Sequence, residues 1–220
     1  MNLSVRAERS TLRTKSTAKP RTLKNLEAYR FWGYAATFGA LWGAVEITAG
    51  SFLHAIKLPF SGVVLAATGA ALLLSLRTLQ PVRGIVLTAG IVCAGIKLLS
   101  PAGAVFGPTA AILVESILVE IALAPAGANA LSAGAAGVLV SFWAIAQKLI
   151  TQTLFFGMPV IGIYKGILQQ AVKLLHLPPS GGAWVVGALL FNVALIGASL
   201  GVAGSLVGAS TKRQLTAGQP

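Results

Sequence analysis

The sequence contains no aspartate, a single cysteine and only five carboxylates, Glu8, Glu27, Glu46, Glu115 and Glu120. Charged residues make up 10% of the 220 positions, against about 25% in an ordinary soluble domain. A water-facing surface cannot be built from so few charges, so lipid must cover most of this chain. The lone Cys93 excludes an internal disulfide. It falls in an apolar run, where a thiol acts as a small hydrophobe.

Chemistry-bearing groups are equally scarce. Two histidines, one cysteine and a few glutamates offer no recognised metal-ligand spacing. No histidine falls within an apolar run, so a histidine base would have to come from a loop. There is no phosphate-binding loop and no GxSxG elbow. The expectation is a non-enzyme without metal or cofactor.

What the chain has in abundance is apolar sequence, 55% of its residues. A membrane-spanning helix needs about 20 such residues. Six runs qualify or come close: 31–53, 62–79, 84–99, 109–124, 131–156 and 182–207. Proline and glycine mark most of the boundaries, at Pro59, Pro81, Pro101, Pro108, Pro125, Gly157 and Pro159. The expected fold is therefore all-α, a polytopic membrane helical bundle of about six transmembrane helices, with a transmembrane domain over 31–208. The segment 160–177 differs: Lys165, Gln169, Gln170, Lys173 and His176 fall mostly on one side, and Ile161, Tyr164, Ile167, Leu168 and Leu175 on the other. That pattern predicts an amphipathic helix in the interface or capping the bundle.

The first 30 residues are different material. They hold eight basic residues against two glutamates, with many Ser and Thr and little to bury. Such a tail is expected to be disordered, as a cytoplasmic topology determinant attracted to anionic lipid. Nucleic-acid binding is not expected, because no aromatics are interleaved with these charges in a folded element. With the tail inside, Arg77, Arg83, Lys212 and Arg213 join it, while Lys57, Lys165 and Lys173 lie outside. This bias places both termini, including a short tail over 209–220, in the cytoplasm of a cell whose inner membrane holds the protein.

Five ionisable residues fall inside the runs: Glu46, Lys97, Glu115, Glu120 and Lys148. Each costs about 2.5–3.5 kcal/mol to insert at a helix centre, so such residues point to function. In the expected topology Glu46, Lys97, Glu115 and Lys148 share a depth in the outer half of the bundle. Glu120 lies deeper, toward the cytoplasm. The fifth run adds Ser141, Lys148, Thr151 and Gln152 at helical spacing, flanked by Gln147, and Trp42 lies one turn from Glu46. These residues predict a polar, aromatic-edged cavity opening outward, with Glu46, Trp42, Lys97, Glu115, Lys148, Thr151 and Gln152 as candidate ligand contacts. The bland alternative is that the four charges pair as buried salt bridges. The first run also carries Ala36, Ala40 and Ala44, with Gly39 and Gly43 beside them. Small residues at this spacing let another helix approach closely, from within the chain or from a partner.

Six runs after a basic start and the Ala36–Ala40 motif resemble the substrate-binding S component of energy-coupling factor transporters. The resemblance covers roughly 31–207. It implies that Ala36, Ala40 and Ala44 dock a transmembrane coupling subunit, which works with ATPase subunits. It further implies that the ligand site lies toward the outer side, where Glu46, Lys97, Glu115 and Lys148 gather. The family imports vitamins, their precursors and some metal ions. Its nickel and cobalt branch begins with a metal-binding histidine, which this chain lacks at that place. The implied mechanism is capture of a small polar ligand, with the loops 58–62 and 102–108 closing over it. Two other expectations stand beside it: a stand-alone proton-coupled transporter or channel using Glu46, Glu115 or Glu120, and a non-transporting membrane scaffold.

Overall fold

The computed structural model of the chain describes residues 21–56, 61–100, 106–157 and 182–218, with isolated positions between 159 and 173. The tail up to residue 20, most of the loops 58–62 and 102–108, and most of the 160–177 segment lie outside the described residues. Among the described residues every regular element is helical. The order is α1 (Arg21–Ala55), α2 (Ser61–Leu79), α3 (Ile85–Leu98), α4 (Phe106–Leu123), α5 (Ala130–Phe156) and α6 (Gly182–Ala217).

Four helices, α2, α4, α5 and α6, are long and apolar enough to cross a membrane. Two fall short of the expected six. The 14 residues of α3 reach only about 21 Å at 1.5 Å per residue, against a hydrocarbon core about 30 Å thick. The 35 residues of α1 have the length, but Gly, Thr, Tyr, Trp and Glu46 dilute their hydropathy.

Helix ends also move. α1 begins at Arg21 rather than at 31, because the preceding segment RTLKNLEAYR consists largely of good helix formers. α6 continues to Ala217, through Lys212 and Arg213, instead of ending near 207. The expected C-terminal tail is thus largely helix. Gly157, with φ 61°, follows the last residue of α5 as a left-handed stop. At the other end of α5, Asn129 and Ser132 form a reciprocal cap. Ser132 N–H donates to Asn129 Oδ1 at 2.8 Å, and Asn129 N–H donates to Ser132 Oγ at 3.1 Å.

α2 is the centre of the bundle and packs against all five other helices. Around it α1 meets α3, α3 meets α4, α4 meets α5 and α5 meets α6. Small residues set these distances. Gly137 of α5 and Gly197 of α6 lie backbone to backbone, so that a Cβ on either would strike the other's carbonyl. Two turns along, Gly204 of α6 lies equally close to Ala71 of α2, where Ser75 Oγ donates to the Gly204 carbonyl at 2.7 Å. This is how helices associate where lipid removes the hydrophobic drive.

In the 160–177 segment the described positions are helical. Lys165, Gln169 and Lys173 are exposed, while Leu168 and Val172 are half-buried. That is the two-faced pattern of an amphipathic helix.

Candidate functional site

The buried face of α1 is Ala35, Gly39, Trp42, Gly43, Glu46 and Gly50. Spacings of three and four place these residues along one stripe. Gly39 and Gly43 let α1 settle on Val92 and Ile96 of α3. Trp42 is wholly buried, with its indole against Gly69 of α2, where any side chain would displace it. The small-residue positions therefore divide in two. The glycines pack inside the chain, whereas Ala36, Ala40 and Ala44 are all exposed on the opposite face. Thr37 and Thr48 on that side donate to the helix's own Gly33 and Ala44 carbonyls.

This packing brings α3 against Glu46. Lys97 Nζ lies 4.0 Å from Glu46 Oε2 and donates to the Glu46 carbonyl at 3.3 Å. Cys93, four residues before Lys97 and on the same face, is fully buried. It lies within electrostatic range of Glu46, Glu115 and Lys97. Glu115 reaches the group from α4, where Gly90 of α3 admits Ser116 at close quarters. Glu46 is 9% exposed and Glu115 5% exposed. Among the described residues, five buried side-chain atoms have no hydrogen-bond partner: Glu115 Oε2, Glu120 Oε2, Ser141 Oγ and the indole Nε1 of Trp42 and Trp143.

The cluster thus holds two carboxyls and one ammonium. A buried carboxylate without a donor is costly in a medium of low dielectric constant. Lys97 serves Glu46, so Glu115 needs a proton or a donor brought by something else.

The α5 residues do not join this cluster as expected. Lys148 is exposed, and the side chain of Gln152 lies outside the described residues. Thr151 is half-buried and faces Gly107 at the start of α4. Beside it Gln147, expected only to flank the stripe, donates to the Gly107 carbonyl at 3.3 Å. Ser141 is fully buried against Gly197, inside the α5–α6 contact. The predicted stripe splits because α5 is clasped by α2 and α6 at Ser141, but burial falls away beyond Ala144. Glu46, Cys93 and Glu115 of the cluster are buried.

Glu120 has a different setting. Its Oε1 lies 3.4 Å from Arg77 Nη1 and accepts from the Gly84 N–H at 2.8 Å. Arg77, only 6% exposed, also donates to the Val82 carbonyl. Glu120 thus ties the end of α2, the turn over 80–84 and the start of α3, where a negative charge suits the helix dipole. Sequence reasoning read Arg77 only as a flanking charge.

It also missed Cys93 as a cluster member. The available signal was its four-residue spacing from Lys97. No three His, Cys, Asp or Glu side chains among the described residues converge to hold a metal ion. Comparison with protein-family descriptions, curated proteins and solved structures found no match.

Proposed function

We propose that this protein is the integral membrane substrate-binding subunit of an ATP-driven micronutrient importer, with both termini cytoplasmic. It captures a vitamin or a vitamin precursor at the Trp42–Glu46–Cys93–Lys97–Glu115 cluster. The observation that carries this reading is the buried Glu115 oxygen without a hydrogen-bond partner, in electrostatic range of Glu46 and Cys93. A small polar ligand that offers a donor satisfies that oxygen.

The six-span arrangement of that family is reached if α3 crosses with the help of its flanking loops and α1 crosses from about 31. The exposed face of Ala36, Ala40 and Ala44 then meets a transmembrane coupling subunit, as small residues allow. Closure and reorientation of the bundle are driven by the ATPase partners, because this chain has no phosphate loop.

The test is transport in sealed vesicles with a panel of vitamins and precursors. The proposal expects uptake only when coupling and ATPase subunits are present with ATP, and its loss in Ala40→Leu with ligand binding retained. A second reading has its own support in Glu115, which fits a proton-cycling carboxyl equally well. Uptake by the chain alone, driven by a proton gradient and lost in Glu115→Gln, is the outcome that selects it.

A further inference from the structure

A second polar place lies at the opposite end of the bundle from the Glu46 cluster. The end of α2, the turns at Pro81 and Ala128, and the last turns of α6 enclose a cleft of about 470 Å³. Its charged lining is Arg77 from α2 and Lys212 and Arg213 from α6. Thr78 and Thr216 also line it, but their hydroxyls donate to the Leu74 and Lys212 carbonyls of their own helices. The donors left to face the cleft are those of the three basic side chains.

Arg77 makes this more than a patch of loose surface charge. Its guanidinium is buried and held by Glu120 and the Val82 carbonyl, and both contacts use Nη1. The remaining N–H groups of that fork are therefore fixed in direction without being consumed. Three cations against the single Glu120 carboxylate leave the cleft with two uncompensated positive charges. Lys212 and Arg213 follow the apolar part of α6, where Leu206 and Val207 stand exposed one to two turns before them. A cationic cleft next to exposed apolar side chains, where a membrane helix becomes polar, matches the headgroup and upper acyl chain of a phospholipid.

We propose that this cleft is a binding site for the headgroup of an anionic phospholipid carrying two negative charges, in the form of either two phosphodiesters or one phosphomonoester. The charge count favours such a headgroup over a singly charged one, and the exposed Leu206, two turns before Arg213 on its side of α6, favours a lipid over free phosphate. The site is independent of the cluster around Glu46 and does not rest on the transport reading.

Native mass spectrometry of the purified full chain tests it, with titrations of diphosphatidylglycerol, phosphatidylglycerol and phosphatidylcholine, and of inorganic phosphate alone. The expected result is a retained diphosphatidylglycerol adduct that outlasts the phosphatidylglycerol adduct. Lys212→Gln with Arg213→Gln should weaken it roughly tenfold or more. Arg83→Gln, an exposed charge outside the cleft, should leave it unchanged and so separates a site from general attraction. Thermal unfolding of the double variant without lipid should match that of the parent chain. Equal retention of the singly charged lipid, equal loss in Arg83→Gln, or binding of inorganic phosphate without lipid binding each overturns the proposal.

Discussion

Each end of the bundle holds a glutamate on α4, Glu115 buried and Glu120 half-buried; each has one oxygen without a hydrogen-bond partner, but Glu120 is paired with an arginine. Glu120 has a guanidinium at 3.4 Å and a backbone N–H at 2.8 Å on the same oxygen. Glu115, five residues earlier in the sequence, sits among Glu46, Cys93 and Lys97 with an oxygen that nothing in the described structure bonds. The first is a fastener between α2, α3 and α4. The second is an unmet demand. A charge inside a membrane helix is therefore not by itself a mark of function: whether a cation compensates it matters too.

Substitutions sharpen that contrast. The largest effect is expected at the fastener. Arg77→Ala leaves the half-buried Glu120 without its cation and should destabilise the protein by about 2–3 kcal/mol. The measurement is thermal or denaturant unfolding in detergent. Combining Arg77→Met with Glu120→Leu should recover most of the loss, because an apolar pair of similar volume replaces a buried ion pair at little cost. If the double variant is as unstable as the single, the pairing is not what holds that corner.

Lys97→Met comes next. It removes the one ammonium from a group with two carboxyls, while its contact with Glu46 is long at 4.0 Å. A loss of about 1–3 kcal/mol in unfolding free energy is expected. Glu115→Gln should cost about 1 kcal/mol or less, since no bond is broken. A cost as large as that of Arg77→Ala would mean that Glu115 is also a fastener. The smallest effect is expected at Lys148. Lys148→Gln should leave both the melting temperature and any ligand retention unchanged, because its side chain is exposed and lies apart from the cluster.

Much of this arrangement was legible in the sequence, and the misses have physical causes. Apolar run lengths and proline or glycine breaks located all six helices, yet α1 starts at Arg21 and α6 runs on to Ala217. Hydropathy marks where a helix can meet lipid and says nothing of where helical propensity carries it into water. Equal depth in the assumed topology placed Glu46, Lys97 and Glu115 together, and the structure brings these three into one group. The same depth argument included Lys148, whose side chain is exposed instead. Depth fixes height along a helix but not rotation about it, and rotation depends on which neighbours clasp it. The Arg77–Glu120 pair was not legible because the turn over 80–84 that brings the two together is a tertiary feature. The division of the α1 small residues into a buried glycine stripe and an exposed alanine stripe likewise needed the position of α3.

The central claim, that the unmet demand at Glu115 is filled by a small ligand, is tested most directly by native mass spectrometry of the gently purified chain and its Glu115→Gln variant. The account predicts a small polar molecule carried by the parent protein and lost from the variant, with the two unfolding within about 1 kcal/mol of each other. Repeated isolation of a ligand-free parent protein, with no thermal shift across vitamins and their precursors, would contradict it.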